Sequence, residues 1–351
     1  MNSMRFGDVA IVMMSAVGDA VHVLPVINAI KRRHPGSRIT WILQPGPAEL
    51  VRGHPSVDEL IVFERARGLA GFFDIRRRLQ QRSFDLALNL QVYFKAGLVT
   101  SFVKAPVKLG FDRRRARDLN WLFTTHRIPP SPPAHVQDQY FEFLRYLDID
   151  PEPVEWRLGP WPEEREWQRQ FFSQFERPVA ALVVATSKPE KDWPAERWAK
   201  LCDILAADFG LQPVLVGGRS RRELEAEAVI MAEARAKPYS ALGSGLRRLV
   251  SVLDGAAVVI APDTGPLHMA VALGTPVVGL YGYTNPKRTG PYRSFGDLVV
   301  DAYGDPNENY PVSMQTRPGR MSRIGVDDVV QKLRLWEARY RSVGSRSALR
   351  R

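Results

Sequence analysis

A chain of 351 residues, 45% hydrophobic and 25% charged, has the composition of a globular protein with two domains of ordinary size. No segment reaches the roughly 20 uncharged apolar residues that a membrane-spanning helix needs, and one cysteine, Cys202, excludes an intramolecular disulfide. The net charge of +11 predicts an acidic partner: nucleic acid, anionic lipid or a phosphorylated sugar.

Strands and helices alternate in the first half, which predicts a parallel sheet covered by helices. The first apolar run is followed by the turn 15–19 and then by a helix, so Asp19 is expected at the carboxyl edge of the sheet, where ligands bind. The plainer alternative for Asp19 is a helix N-cap. The predicted strands are 9–14, 38–43, 60–63, 86–90 and 107–109.

Two groups of arginines follow predicted strand ends in this half. Their planar guanidinium groups suit carboxylates and phosphates, whereas the alternative is an ordinary solvated face. The first group is Arg65 and Arg67, and the second is Arg113, Arg114, Arg115 and Arg117.

The strand and helix pattern restarts after a connecting segment. Residues 129–133, rich in proline, predict a stiff loop before a helix at 136–147, and residues 150–178 are the expected inter-domain connection. Further strands are predicted at 179–185, 213–216, 256–261 and 277–280, and further helices at 195–209, 223–236, 246–253, 265–273 and 326–341.

The turn after strand 256–261 has the features of an anion site. Free N–H groups and the positive end of the dipole meet at the start of the next helix; Thr264 adds a hydroxyl, and Gly265 permits close approach of a phosphate. Alternatively, Asp263 or Thr264 only caps or fixes the turn. His268 either hydrogen-bonds a phosphate or packs beneath it.

These segments resemble the motifs of glycosyltransferase family 9, the ADP-heptose:lipopolysaccharide heptosyltransferases. The likeness covers nearly the whole chain, with the motifs in order. The N-terminal motif is matched by residues 15–22 with Leu24 and Pro25, the acceptor-side loop by 110–112 with Arg113 and Arg117, the central motif by Thr186, Ser187 and 191–194 with Trp198, and the nucleotide-binding signature by 263–268, 272–276 and 280–286.

The resemblance implies an α/β protein of the GT-B fold, in which two Rossmann-like domains with parallel sheets face a central cleft. Residues 1–160 would bind the acceptor and 161–325 the nucleotide sugar, while 326–351 would form a helix packing back on the first domain, followed by a basic tail. The implied reaction moves a heptose from ADP-heptose to the inner core of lipopolysaccharide, an acidic glycolipid bearing Kdo, at the cytoplasmic face of the inner membrane.

Displacement at an anomeric carbon needs a general base and groups that neutralise the departing diphosphate. We expect Asp19 to be the base, and Lys191, Thr186, Ser187 and the amides of Thr264 and Gly265 to hold the diphosphate. Alternatively, Lys191 is an ordinary solvated lysine in a loop. No metal or other cofactor is expected, and a single base without a nucleophilic carboxylate implies inversion.

One feature departs from the family pattern. A glutamate that the resemblance implies for nucleoside binding aligns with Arg221, so that either Glu223 substitutes for it or the nucleoside is bound differently. Three other functions stay open: another nucleotide sugar as donor, a nucleotide-binding protein without catalysis, and a nucleic-acid binder. The last lacks zinc-ligand spacing and recognition-helix signals, so no nucleic-acid partner is expected.

Overall fold

The strands of residues 6–341, the part of the chain that the computed structural model describes, form two six-stranded sheets. Every strand pair in both sheets is parallel, with helices in the connections. The α/β fold with two Rossmann-like units, which the sequence predicts, is therefore confirmed. The first unit is Met1–Leu158 and the second is Gly159–Arg351.

In the first unit the strand order is β3-β2-β1-β4-β5-β6, so the direction of winding reverses between β1 and β4. In open α/β sheets this reversal is where ligands bind, outside the carboxyl ends of the strands. The elements are β1 (Asp8–Val12), α1 (Val17–Arg33), β2 (Arg38–Leu43), α2 (Pro45–Val51), β3 (Glu59–Val62), α3 (Leu69–Gln80), β4 (Leu86–Asn89), α4 (Phe94–Phe102), β5 (Val107–Gly110), β6 (His126–Arg127) and α5 (Val136–Tyr146).

The second unit repeats this arrangement with the order β12-β11-β10-β7-β8-β9. Its central strands are apolar throughout and fully buried, as a sheet covered on both faces requires. The elements are α6 (Arg165–Phe172), β7 (Val179–Val183), α7 (Ala195–Ala207), β8 (Gln212–Val216), α8 (Arg221–Glu233), β9 (Tyr239–Ser240), α9 (Leu246–Gly255), β10 (Val258–Pro262), α10 (Gly265–Leu273), β11 (Val277–Tyr281), α11 (Pro286–Thr289), β12 (Val300–Asp301) and α12 (Val326–Arg339).

The expected connection at 150–178 contains structure of its own. Helix α6 packs against α9 of the second unit, and the Arg165 guanidinium pairs with the Asp254 carboxylate at 2.7 Å. The division between the units lies at Leu158, near the predicted boundary at residue 160. The short strands β6, β9 and β12, which the sequence pattern did not indicate, complete the sheets at their edges.

Helix α12 differs from the expectation that it packs on the first half. Its buried residues Val329, Leu333 and Trp336 belong to the hydrophobic core of the second unit. The Trp336 indole N–H donates to the carbonyl of Ala257 at 3.2 Å, next to β10. The reason is the apolar stripe of this helix, which the core beside β11 and α7 buries. The predicted basic tail, with Arg346, Arg350 and Arg351, lies outside the described residues.

In residues 6–341 no helix combines the length and the apolar composition that crossing a bilayer requires.

Replacing Trp336 by alanine should lower the free energy of unfolding by about 3–5 kcal/mol, because the core of the second unit loses a large, fully buried side chain. Arg334→Ala, on the exposed side of the same helix, is the matched control and should change it by less than about 0.5 kcal/mol. Denaturant unfolding measures both. Equal, small effects would contradict the assignment of α12 to this core.

Candidate active site

Asp19 lies in the first turn of α1, directly beyond the carboxyl end of β1. Its Oδ2 accepts the Ala16 N–H at 2.9 Å, and its Oδ1 lies 3.5 Å from the Tyr140 hydroxyl of α5. The side chain is partly exposed. The N-cap residue of α1 is Ala16, so Asp19 is not the N-cap of the plainer alternative. Asp19 is the third residue of the helix, and its carboxylate accepts the N–H of the N-cap residue at the sheet edge.

Hydrogen bonds tie the loops at this edge together. Gln91, just after β4, accepts the Met14 N–H at 3.0 Å and donates to the Ser15 carbonyl. The Arg117 N–H, in the loop after β5, donates to the Val92 carbonyl at 2.7 Å. The Asp19 turn and the arginine loop are thus linked through residues 91 and 92. Gln91 and Tyr140 are not among the site residues predicted from the sequence. The position of Gln91 just after a buried strand is a signal that could have indicated it.

The second arginine group divides in two. Arg115 is built into the fold: it pairs with Asp112, with Glu142 at 2.7 Å, and donates to the Pro129 carbonyl at 3.0 Å. Burial would raise the pKa of Asp112, but the hydrogen bond from Arg115 and the Arg114 N–H lower it below its usual range. The structure thus gives Arg115 protein partners where the sequence suggested an acceptor.

The other three arginines of this loop face solvent. Arg113 lies over the Trp121 ring at 4.3 Å, and the side chains of Arg114 and Arg117 are exposed. The first group, Arg65 and Arg67, forms an exposed 3₁₀ turn after β3, where Arg67 lies 3.8 Å from Asp74. Both groups follow carboxyl ends of strands of the same sheet, so they share its edge with Asp19.

In the second unit, Asp263 follows β10 and is 6% exposed. Its Oδ2 accepts the Lys191 ammonium and the Thr284 hydroxyl, both at 2.7 Å, and the Lys191 ammonium also donates to the Asp263 carbonyl at 3.0 Å. His268 Nε2 lies 3.5 Å from Oδ1. Burial would raise the pKa of Asp263, but His268 and the Lys191 charge outweigh it and hold the pKa well below its usual range. Asp263 is a buried anion joining several segments.

The start of α10 leaves its donors accessible. Thr264 is the cap residue with extended backbone, φ −156°, its hydroxyl makes no capping hydrogen bond, and the helix begins at Gly265. Both residues are partly exposed. The hydroxyl and the first amides of α10 can therefore meet an anion, as predicted for this turn.

The loop between β7 and α7 is held from α8. The Asp192 carboxylate accepts the Thr186 N–H at 2.7 Å and Arg222 at 2.6 Å, and Arg222 also donates to the Thr186 carbonyl at 2.6 Å. The Thr186 hydroxyl donates to the Lys188 carbonyl at 2.7 Å, whereas Ser187 is exposed. Burial raises the pKa of Asp192. Arg222 and Asp192 position the loop that carries Lys191, a role that the sequence pattern does not indicate.

Glu223 closes the turn after β8. Its two carboxylate oxygens accept the Gly218 N–H at 2.6 Å and the Ser220 N–H at 2.7 Å. Gly217 has φ +151°, and a Cβ there would lie 2.6 Å from Glu223 Oε1, so the turn requires glycine. Arg221 is exposed and pairs with Glu225. Both carboxylate oxygens of Glu223, a candidate for nucleoside binding, thus accept backbone N–H groups of its own turn.

The predicted site residues fall into two sets. Asp19 and the arginines lie at the carboxyl edge of the first sheet. The donor-binding candidates follow β7, β8 and β10, which are neighbours in the second sheet, so that they share one edge. They are Thr186, Ser187, Lys191, Glu223, Asp263, Thr264, Gly265 and His268.

Comparison with known proteins agrees with this geometry. The family model described as glycosyltransferase family 9 (heptosyltransferase) matches residues 72–312. The lipopolysaccharide core heptosyltransferase OpsX of Haemophilus influenzae is 31% identical over 334 residues, which cover 92% of this chain and 95% of the relative.

Solved structures share the fold. A glycosyl transferase family 9 protein from Veillonella parvula superposes with a TM-score of 0.80 at 23% identity and covers 95% of this chain and 98% of its own. The Escherichia coli heptosyltransferase WaaC with ADP-2-deoxy-2-fluoro heptose has a TM-score of 0.72 at 24% identity, covering 93% and 99%. These likenesses bear on the fold of the chain.

Proposed function

The chain belongs to glycosyltransferase family 9, and we propose that it transfers a heptose from ADP-heptose to the inner core of lipopolysaccharide. Membership of the family makes the chain a glycosyltransferase of the heptosyltransferase kind. The identity of the donor and of the acceptor, which bears Kdo or heptose, is the proposal. The observation that carries it is the contact of the Lys191 ammonium with Asp263, the residue before the cap of α10, at one edge of the second sheet. The names of the relatives support the heptose and the core lipopolysaccharide.

In this proposal the second unit binds the nucleotide sugar through its diphosphate. A lysine ammonium has three donors, and the Lys191 contacts with Asp263 account for two of them. The phosphate oxygens would be bound by the third N–H of the Lys191 ammonium, by the Thr264 hydroxyl and by the amides of Thr264 and Gly265. Thr186, Ser187 and His268 would lie nearby. Charge that develops on the leaving diphosphate would then be neutralised by fixed donors.

Asp19 would act as the general base. Its carboxylate is partly exposed and lies at a sheet edge, where it could take the proton of the acceptor hydroxyl as the new glycosidic bond forms. The electrons of the breaking bond pass to the diphosphate. A single displacement of this kind inverts the anomeric centre, and neither a metal nor another cofactor is required by the proposal.

The exposed arginines would bind the acidic acceptor. Arg65, Arg67, Arg113, Arg114 and Arg117 lie on the same unit as Asp19, and guanidinium groups bind carboxylate and phosphate through paired N–H donors. Arg115 is left out because its partners belong to the fold. The same charges would hold the protein at the anionic cytoplasmic face of the inner membrane.

A second candidate is transfer from a different nucleotide sugar. It is favoured by Glu223, whose two oxygens accept backbone N–H groups, and by Arg221, which points to solvent where the family pattern has a glutamate. Calorimetric titration with a panel of nucleoside diphosphates separates the two candidates. Tightest binding of ADP supports ADP-heptose.

Asp19→Asn should lower kcat by about two to four orders of magnitude, because the base acts in the chemical step, while ADP affinity stays nearly unchanged. The Asn side-chain carbonyl can still accept the Ala16 N–H, so the fold should survive. Asp8→Asn, at the opposite end of β1, is the matched control. Near-normal turnover of Asp19→Asn would remove Asp19 from the mechanism, whereas a parent chain without turnover would favour the non-catalytic alternative.

Lys191→Ala should weaken ADP by about 1.5–3 kcal/mol, since a charge-assisted bond to an anion is lost, and should weaken adenosine much less. Lys188→Ala, in the same loop but exposed, should leave both affinities nearly unchanged. Calorimetry measures the four affinities. If Lys191→Ala weakens both ligands equally, Lys191 serves the fold by balancing Asp263 instead.

Replacing Arg113, Arg114 and Arg117 by serine should raise the acceptor KM and flatten its salt dependence, because salt screens exposed charges over about 8 Å. Donor KM should stay constant, since the nucleotide is assigned to the other unit. Initial rates at several salt concentrations give both constants. A parallel rise in donor KM, or an unchanged acceptor KM at low salt, argues against this acceptor face.

A further inference from the structure

Large exposed apolar side chains are concentrated in one part of the first unit. Of the eight in residues 6–341, six lie between residues 69 and 122, with exposures of 43–77%, and two lie elsewhere, Tyr239 and Met314. Single exposed apolar residues are ordinary, but a group of them marks a binding surface. We name the six the apolar rim: Leu69, Phe73, Tyr93, Phe94, Leu119 and Leu122.

The fold brings the apolar rim together. Helices α3 and α4 pack side by side on one face of the sheet, and each begins beyond the carboxyl end of a strand, so Leu69 and Phe94 both lie at that edge. The segment that contains Leu119 and Leu122 is fixed beside α4. The Asn120 amide donates to the Tyr93 carbonyl at 2.7 Å, and the rings of Phe94 and Phe123 are 5.4 Å apart.

Basic side chains border the apolar rim. Exposed cations flank it in the sequence. Among the nearby acids, Glu64 and Asp118 are exposed, whereas Asp74 is partly buried and pairs with Arg67 and Arg77. Trp121, stacked under Arg113, has the amphipathic character of residues at a membrane interface. The flanking cations include Arg65, Arg67, Lys95, Arg113, Arg114 and Arg117.

We propose that the apolar rim inserts into the headgroup region of an anionic phospholipid bilayer, with the surrounding cations on its phosphates. Apolar side chains framed by arginine and lysine are the composition of surfaces that lie in the bilayer interface, where buried apolar area and electrostatic attraction add. The inference deepens the proposed membrane association of the preceding section. It places the Asp19 edge next to the lipid surface from which an acidic glycolipid would project.

The charge alone does not account for this surface. Arginines binding only a sugar phosphate would need no exposed Leu69 or Phe73, whose exposures of 77% and 66% are the largest of the six. A membrane gives both side chains an apolar environment without a shaped partner. This distinguishes the inference from acceptor binding by the arginines.

The test uses the full chain and sedimentation with vesicles of phosphatidylcholine, with or without 30–40% phosphatidylglycerol; neither contains an acceptor. Binding to the anionic vesicles is expected, and Leu69→Ser with Phe73→Ser should reduce the partition coefficient at least about tenfold. Tyr93→Ser with Phe94→Ser should do the same. Met314→Ser, an exposed apolar residue of the second unit, is the matched control and should bind as the parent chain does.

Activity separates this inference from the proposed function. Transfer to a delipidated, water-soluble acceptor should be unchanged in Leu69→Ser with Phe73→Ser, whereas transfer to acceptor in vesicles should fall. No vesicle binding by the parent chain, or equal binding by the rim variants and Met314→Ser, overturns the membrane surface and leaves the transfer reaction standing. Self-association of the parent chain that the rim variants abolish, without vesicle binding, would assign the surface to a second copy.

Discussion

The buried carboxylate of Asp263 is the charge on which the proposed donor site depends. A carboxylate away from water is unfavourable unless it is paired and hydrogen-bonded. Lys191 after β7, Thr284 after β11 and His268 in α10 supply those partners. One charge therefore fixes the mutual position of three segments, and the proposed diphosphate contacts lie on the same segments. Arg222 and Asp192 extend this control to the loop that carries Lys191.

The loops of the proposed acceptor side are positioned mainly by neutral hydrogen bonds. Gln91 joins the loops after β1 and β4, and the backbone of Arg117 joins the loops after β4 and β5. The Asp19 carboxylate is partly exposed; one of its oxygens accepts the Ala16 N–H, and the other lies 3.5 Å from the Tyr140 hydroxyl. Accepting the Ala16 N–H does not exclude the proposed role of Asp19 as the base.

Residues of one type differ in role because their surroundings differ. Arg115 is enclosed by Asp112 and Glu142, and removing it would leave two carboxylates without their cation. Arg113, two residues earlier, stacks on Trp121 at the surface. The exposed arginines and the apolar rim occupy the same edge of the first unit, which would give the proposed acceptor and the proposed bilayer a common place to bind.

The sequence by itself determined the two parallel sheets, the family and the segments that carry the candidate site, because buried strands need continuous apolar runs and the strand-to-helix turns need small and polar residues. Helix 265–273 and strand 38–43 were predicted to the residue. Only the tertiary structure decided which charges pair and which core covers α12. It pairs Lys191 with Asp263 and Arg115 with Glu142, and it packs α12 in the second unit. These pairings join residues far apart in the chain, and local periodicity carries no information about which distant side chain will balance a buried charge or cover an apolar stripe.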